Sequence, residues 1–210
     1  MKIHTIPVGI LAANCQILID EETMEAAIID PGDEAEKIEQ IIKSTEAKPT
    51  MILLTHGHPD HSFAAGELQK TFDVDVRMHE ADVPQFERYP DLVAMFYNPD
   101  SYVKPRLGEF LNDGDSIKVG NEVVEVIHTP GHSPGGLCFK AGSSVIVGDT
   151  LFAGSIGRTD LHGGSYEDLI SSIKEKLLIL PEETVIYPGH GPTSSIGLEK
   201  EDNPHIGEDI

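Results

Sequence analysis

Short apolar runs separated by turn residues make up the first part of the chain and predict three strands, at residues 2–7, 14–20 and 25–30. The short connections between these strands indicate an antiparallel meander. Isoleucines at positions 38, 41 and 42 then lie on one face of a predicted helix, which Asp33 caps and Pro49 ends. Four apolar residues, 51–54, predict a short buried strand after this helix, which completes a strand-helix-strand unit.

The same alternation continues through the rest of the chain. Further strands are predicted at residues 74–78, 116–119, 122–128, 137–140, 144–147 and 184–187, and further helices at 62–71, 80–86 and 166–178. Residues 84–106 interrupt the pattern with four prolines and five of the twelve aromatic residues of the chain. This segment predicts a loop or a short helical flap.

Histidine and aspartate residues, both of which can bind metal, follow four of the predicted strands. They are, in chain order, His56, His58, Asp60, His61, His132, Asp149 and His190. Imidazole and carboxylate groups are ligands that zinc, iron and manganese accept. Three histidines and one aspartate within residues 56–61 are hard to obtain by chance, and buried residues of these types are rarely left unpaired. The pattern therefore predicts a metal site built from the ends of strands.

The composition argues against several classes of partner. The chain of 210 residues has 36 acidic and 15 basic residues and a net charge of -21, which repels phosphate backbones and anionic lipid. We therefore expect neither nucleic acid nor a membrane as a partner. No apolar run approaches the roughly 20 residues of a membrane span, and the first residues lack a signal-peptide pattern, so we expect a cytoplasmic protein. The length predicts one domain over residues 1–210, with Cys15 and Cys138 in its core rather than in a disulfide.

The ligand pattern resembles that of the metallo-β-lactamase superfamily. The resemblance rests on His-x-His-x-Asp-His at 56–61, Thr-Pro-Gly-His at 129–132, the aspartate at 149 and Pro-Gly-His-Gly at 188–191. It implies an α/β fold, a four-layer αββα sandwich, with two metal ions at one edge. The residues that it implies as ligands are His56, His58 and His132 for the first metal, Asp60, His61 and His190 for the second, and Asp149 as the bridge between them.

Within this superfamily the chain is similar to the short glyoxalase II-like hydrolases, which are related to hydroxyacylglutathione hydrolases. It shares with them Asn14 in the second strand, Gly-Arg-Thr-Asp at 157–160 and a similar tail at 199–204. The resemblance implies a thioester hydrolase.

The glutathione site of the full hydroxyacylglutathione hydrolases is matched only in part. Arg158 matches a basic residue that lies near the glutathione carboxylate in those enzymes, whereas Asp160 and Pro192 stand where they have aromatic residues. The chain ends soon after His190, so we expect it to lack the C-terminal helical region that holds glutathione in those enzymes. Arg158 is the one substrate-binding residue that the resemblance implies, and a plain salt bridge is an equally open interpretation of it.

The chemistry of two neighbouring metal ions suits thioester hydrolysis. Two divalent cations lower the pKa of a shared water from about 15.7 towards roughly 7, and they also stabilise the oxyanion that forms on a carbonyl. We expect Asp60 to act as a catalytic residue that orients the resulting hydroxide. A thiol with a pKa of about 8.5 leaves as thiolate without a general acid, which favours a small-molecule thioester as substrate. We expect zinc, with iron and manganese as alternatives, and a flap in which Phe96 and Tyr97 cover the acyl group.

Two other functions stay open from the sequence. Persulfide dioxygenases resemble the chain but use a single iron, held by the equivalents of His56, His132 and Asp149. The segment Pro-Gly-His-Gly-Pro at 188–192 differs from the Ala-His-Asp-Tyr type of sequence that those enzymes carry, which favours the hydrolase. A protein that holds metal only for folding is the third interpretation, and the complete ligand set argues against it because structural sites are normally closed and single.

Histidines outside the motifs receive simpler interpretations. His128 stands beside the predicted metal loop and is expected either to make a structural hydrogen bond or to orient a ligand. The isolated histidines are interpreted as surface or capping residues, namely His4, His79, His162 and His205.

Overall fold

In residues 1–87 and 101–206, five strands form the first sheet. They are β1 (Lys2–Val8), β2 (Ala13–Ile19), β3 (Glu25–Ile29), β4 (Lys48–Leu53) and β5 (Asp75–Arg77), and they lie in that order across the sheet. The first three strands pair antiparallel, which confirms the predicted meander, while β3, β4 and β5 pair parallel. This computed structural model describes residues 1–87 and 101–206, apart from the side chains at 86 and 87, so Phe96 and Tyr97 of the predicted flap lie outside the described residues.

Six strands of the described residues form the second sheet, in the order β13-β12-β9-β8-β7-β6. Their bounds are β6 (Ser116–Val119), β7 (Glu122–His128), β8 (Leu137–Ala141), β9 (Ser144–Gly148), β12 (Val185–Pro188) and β13 (Ser194–Ser195), and a separate hairpin consists of β10 (Leu151–Phe152) and β11 (Ser155–Ile156). The pair β9 and β12 is parallel, and the other neighbours are antiparallel. The hairpin and β13 are too short to leave a periodic pattern in the sequence.

Helices cover the outer face of each sheet. Their bounds are α1 (Ala35–Ser44), α2 (Pro59–Ser62), α3 (Ala65–Phe72), α4 (Val83–Glu87), α5 (Tyr166–Ser172) and α6 (Ile196–Asp202); a 3₁₀ turn at Glu80–Asp82 precedes α4, and a π-helical turn at Ile173–Leu177 extends α5. The predicted helix at 62–71 is divided between α2 and α3. Among the described residues, no helix is long and apolar enough to cross a membrane.

Three apolar clusters separate four layers, because successive residues of a strand face opposite sides of a sheet. On β4, Ile52 packs with α1 and α3, whereas Leu53 packs between the two sheets. On β8, Phe139 also packs between the sheets, whereas Cys138 faces the cluster formed with α5 and α6. The order helix, sheet, sheet, helix confirms the α/β sandwich implied by the resemblance. Cys15 and Cys138 are buried free thiols, as predicted, and burial raises the pKa of Cys138 to about 11.

The start of α1 differs from the prediction. Asp33 does not cap the helix; its carboxylate accepts a hydrogen bond from the Glu34 N–H at 2.6 Å, and the helix begins at Ala35. Glu34 occupies the N-cap position in the left-handed conformation, with φ of 52° and no side-chain cap. Its carboxylate instead accepts the Gly9 N–H at 3.0 Å, so a contact with the turn after β1 replaces the expected cap.

Candidate metal centre

The predicted ligands come together at one edge of the two sheets. Residues 54–58 leave the end of β4, and Pro59 then begins the one-turn helix α2, which carries Asp60 and His61. His132 lies in the loop between β7 and β8, Asp149 follows β9, and His190 follows β12. Residues distant in the sequence thus meet because these strands end at the same edge.

The first group of donors consists of His56, His58 and His132. All three side chains are buried, and one nitrogen of each lies within 4.8 Å of the others. The Nδ1 of His58 is 2.9 Å from the Nε2 of His132. We call this group the first triad.

The second group consists of Asp60, His61 and His190, and we call it the second triad. The Nε2 atoms of the two histidines are 3.2 Å apart, and Asp60 Oδ2 lies 3.3 Å from His190 Nε2 and 3.6 Å from His61 Nε2. His61 is fully buried, whereas Asp60 and His190 are partly exposed. The second triad therefore has the more open side of the site.

Asp149 lies between the triads. Its Oδ1 is 3.4 Å from His61 Nε2, and its Oδ2 is 3.7 Å from the Nε2 atoms of both His132 and His190. The carboxylate therefore faces both groups, as a bridging ligand must. The structure thus brings together all seven residues that the sequence singled out.

Hydrogen bonds to the remote ring nitrogens decide which atoms face the site. His132 donates its Nδ1–H to the carbonyl of Arg158 at 2.8 Å, and His190 donates its Nδ1–H to the carbonyl of Leu11 at 3.1 Å. A carbonyl can only accept, so each Nδ1 carries a proton and each ring turns its Nε2 towards the other donors. Converging lone pairs repel each other unless a cation or a proton lies between them.

His56 also turns its Nε2 atom towards the site, because Thr55 and Asp30 hold its Nδ1–H. The Thr55 hydroxyl donates its one proton to Asp30 at 2.5 Å, so it accepts a hydrogen bond from Nδ1 of His56 at 3.0 Å. Within the described part of the chain, the Nε2 of His56 and the Oδ1 of Asp149 are then buried acceptors without a hydrogen-bond partner. Buried acceptors of this kind are costly unless something binds them. The donor set therefore fits divalent metal ions.

Titration behaviour agrees with a site that attracts positive charge. Burial, reinforced by His132, lowers the pKa of His58 to about 4, and burial lowers the pKa of His56 well below its usual value. Burial also opposes protonation of His61, but the carboxylates of Asp149 and Asp60 outweigh it and raise the pKa of His61 to about 10. His56 and His58 are thus neutral imidazoles, the form that binds metal, whereas His61 draws in a proton.

Several residues that support the ligands were not predicted. The carboxylate of Asp30 accepts the Thr55 N–H at 2.7 Å and lies 3.0 Å from Nδ1 of His61, so it orients parts of both triads. Asp30 is within 4.8 Å of His56 and His61, but these bonds occupy its oxygens. Asn14, noted only as a family mark, donates to the carbonyls of Pro188 and Gly191 at 3.0 and 2.9 Å and holds the His190 loop. A polar residue within an apolar strand was the only signal.

The structure shows the contacts of Arg158 and His128, for which the sequence left two interpretations each. The guanidinium of Arg158 donates from Nε and Nη2 to the carboxylate of Asp160, both at 2.7 Å, and the two side chains are exposed. The salt bridge is therefore present, and it competes with any anion for the guanidinium. His128 donates its Nε2–H to the carbonyl of Pro134 at 2.9 Å, which confirms a structural hydrogen bond, and its ring stacks on that of His79.

Comparison with known proteins identifies the family. The model of the metallo-beta-lactamase superfamily matches residues 11–190. The chain belongs to this superfamily. A relative from Haemophilus influenzae, named hydroxyacylglutathione hydrolase GloC, is 41% identical over 211 residues, which cover 98% of each chain. A relative from Bacillus subtilis, named probable metallo-hydrolase YqgX, is 40% identical over 210 residues, which cover 98% of each chain.

Solved structures agree with this membership. The chain is similar to the BLEG-1 B3 metallo-beta-lactamase, with a TM-score of 0.88 and 35% identity, covering 99% of this chain and 100% of that one. It is also similar to TTHA1623 in a di-iron-bound form, with a TM-score of 0.85 and 37% identity, covering 96% of this chain and 98% of that one. Members of the superfamily are mostly hydrolytic enzymes that use metal ions. The His/Asp site of this chain suits divalent metal.

Proposed function

We propose that the protein is a dinuclear metal-dependent hydrolase of small acyl thioesters. The observation that carries the proposal is the pair of triads that share Asp149, since one tetrahedral site needs only four ligands. The relative named hydroxyacylglutathione hydrolase supports a thioester as the substrate. The metals proposed are two zinc ions, with iron or manganese as alternatives, and the di-iron form of a similar structure supports two metals per chain.

Within this proposal each side chain has a defined task. Two divalent ions, which the two triads and Asp149 would hold, would supply hydroxide at neutral pH by lowering the pKa of water from about 15.7 to roughly 7, and would polarise the thioester carbonyl. Asp60 lies at the partly exposed side of the site, where its carboxylate can accept a hydrogen bond from the attacking water and aim it. Asp30 and the carbonyls of Arg158 and Leu11 keep the histidine donors aimed at the site.

The leaving group fits this donor set. A thiol with a pKa of about 8.5 departs as thiolate, so no general acid is required, whereas an amine would need a proton. Glutathione carboxylates would need free cationic groups, and Arg158 is already bound by Asp160. The net charge of -21 also disfavours anionic substrates. The proposal therefore favours small or neutral acyl thioesters.

Release of free thiol from such esters tests the proposed function. The metal-loaded protein should hydrolyse them, and His58→Ala should lower kcat/KM by at least about 100-fold, because it removes one donor of the first triad. His205→Ala, which changes an exposed histidine outside both triads, should leave the rate unchanged. Full activity in His58→Ala would refute the mechanism. Oxygen consumption with glutathione persulfide, in place of thiol release, would establish a dioxygenase.

A further inference from the structure

A fully buried carboxylate joins the two loops that supply the first triad. Asp82, the last residue of the 3₁₀ turn, is 0% exposed. Its Oδ2 accepts the Gly57 N–H and the Ser133 hydroxyl, both at 2.8 Å, and its Oδ1 accepts the Gly135 N–H at 2.5 Å. Among the described residues, no lysine or arginine forms an ion pair with Asp82. In this part of the chain, three neutral donors therefore satisfy the carboxylate.

The positions of the three donors are specific to one triad. Gly57 lies between His56 and His58, and Ser133 is the residue after His132. His56 and His58 follow the end of β4 in the first sheet, whereas His132 lies in the β7–β8 loop of the second sheet. Asp82 thus connects the two halves of the first triad across the sandwich.

The two glycines show how closely the loops approach Asp82. A Cβ placed on Gly135 would lie 2.7 Å from Cγ of Asp82, and one on Gly57 would lie 2.9 Å from Cβ of Gln85 and 3.0 Å from the Asp82 carbonyl oxygen. Neither glycine has a positive φ, so their small size rather than their backbone freedom is what these positions need. Any side chain here would push the loops away from the carboxylate.

The second triad does not share the support from Asp82. In the described part of the chain, its contacts run to Asp30 and to the Leu11 carbonyl, and none of the hydrogen bonds of Asp82 comes from Asp60, His61 or His190. Loss of Asp82 should therefore act on one metal site and spare the other.

We propose that Asp82 is a positioning residue of the first metal site, which sets the distance between the His56/His58 pair and His132. The inference rests on the ligand assignment proposed above but not on the substrate. An amide at this position keeps the shape and loses the charge. Because its NH₂ group would face one of the three donors, at least one hydrogen bond to the loops is lost.

Zinc affinity in single-site backgrounds tests this role, with competition between Zn²⁺ and a chromophoric chelator as the readout. In a His190→Ala background, which keeps the first triad, Asp82→Asn should lower Zn²⁺ affinity by about 10- to 100-fold. In a His58→Ala background, which keeps the second triad, the same change should alter Zn²⁺ affinity by less than about threefold. Ser133→Ala removes only one of the three donors and should give a smaller loss with the same selectivity, which covers the case in which Asp82→Asn fails to fold.

Glu199 offers a matched control. Its carboxylate is also buried and also accepts three neutral donors, the Gly154 N–H, the Ser194 hydroxyl and the Asn203 amide. Glu199→Gln should leave Zn²⁺ affinity unchanged in both backgrounds. Equal losses at the two sites, or no loss at the first site, would overturn the role of Asp82 alone. Absence of Zn²⁺ binding in both backgrounds would overturn the ligand assignment together with it.

Discussion

Each of four proposed histidine ligands has one ring nitrogen that faces away from the site. The group bonded to that nitrogen orients the ring. His56 bonds to Thr55, His61 to Asp30, and His132 and His190 to main-chain carbonyls. These bonds select the tautomer and aim the lone pair, so the ligand geometry is set before metal arrives. The groups that bond to the histidines therefore determine the ligand geometry together with the histidines themselves.

Arg158 leads to a prediction about substrate selectivity. Because Asp160 holds its guanidinium through two hydrogen bonds, Arg158 offers little to a glutathione carboxylate. Small acyl thioesters should therefore be hydrolysed with kcat/KM within about tenfold of the glutathione ester, and Arg158→Ala should change that ratio by less than about threefold.

Asp160→Ala is the informative counterpart, because it frees the guanidinium and should raise the preference for the glutathione ester. The carbonyl of residue 158 still orients His132 in both variants. A preference for the glutathione ester of a hundredfold or more that Arg158→Ala abolishes would show that this arginine does bind substrate.

The ligand residues were predictable from the sequence, whereas most of their supports were not. Motifs such as His-x-His-x-Asp-His place chemically unusual residues at short spacing, so they stand out without a fold. Asp82 and Asp30 are single aspartates in an acidic chain, and only the fold shows that one joins two ligand loops and the other joins two triads. The sequence alone could not show whether Arg158 forms a salt bridge or binds a substrate anion. The structure shows that its guanidinium is bonded to Asp160.

At the scale of elements, most strands were predicted to within a residue or two, because turn residues bound their short apolar runs; β4 begins three residues before the predicted 51–54 strand, in a stretch that is not apolar. The long predicted helices were less accurate. Pro59 begins a separate one-turn helix, and a π-helical turn at Ile173–Leu177 extends α5, details that periodicity alone does not distinguish. The predicted cap of α1 by Asp33 was wrong because the helix begins one residue later, so that Glu34 takes the N-cap position, and its side chain bonds to the turn after β1 instead.

That turn, residues 9–12, leads to a prediction about the acyl group. It is held by Glu34 and by the bond from Lys37 to the Pro7 carbonyl, while the Leu11 carbonyl accepts from His190. Its apolar side chains Ile10 and Leu11 are nevertheless 72% and 43% exposed. A rigid apolar turn beside the second triad should contact the acyl chain of a substrate.

Ile10→Ser should therefore lower kcat/KM for a hexanoyl thioester by about 5- to 20-fold, because apolar contact with the chain is lost, and should change acetyl thioester hydrolysis by less than about twofold. Ile179→Ser is the matched control, since Ile179 is 73% exposed on the chain segment that follows α5. Equal effects of Ile10→Ser on both substrates would remove the turn from the acyl site.

At the scale of the whole molecule, the four-layer sandwich explains why ligands from four strand ends meet. Each sheet contributes part of the site, and the apolar cluster between the sheets, which includes Leu53 and Phe139, keeps the two edges in register. The fold class could be anticipated from the ligand pattern and the resemblance that it carries. The relative placement of the sheets could not, because it depends on side-chain packing between residues far apart in the sequence.

This edge of the sandwich is proposed to hold two metal ions. Metal analysis by mass spectrometry on protein saturated with Zn²⁺ and then dialysed tests it directly. We predict about two ions per chain, since Asp149 faces both triads, and about one ion in Asp60→Ala, which should lose the second site first. A single iron per chain with no second metal under saturating conditions, or equal loss from both sites in Asp60→Ala, would contradict the account.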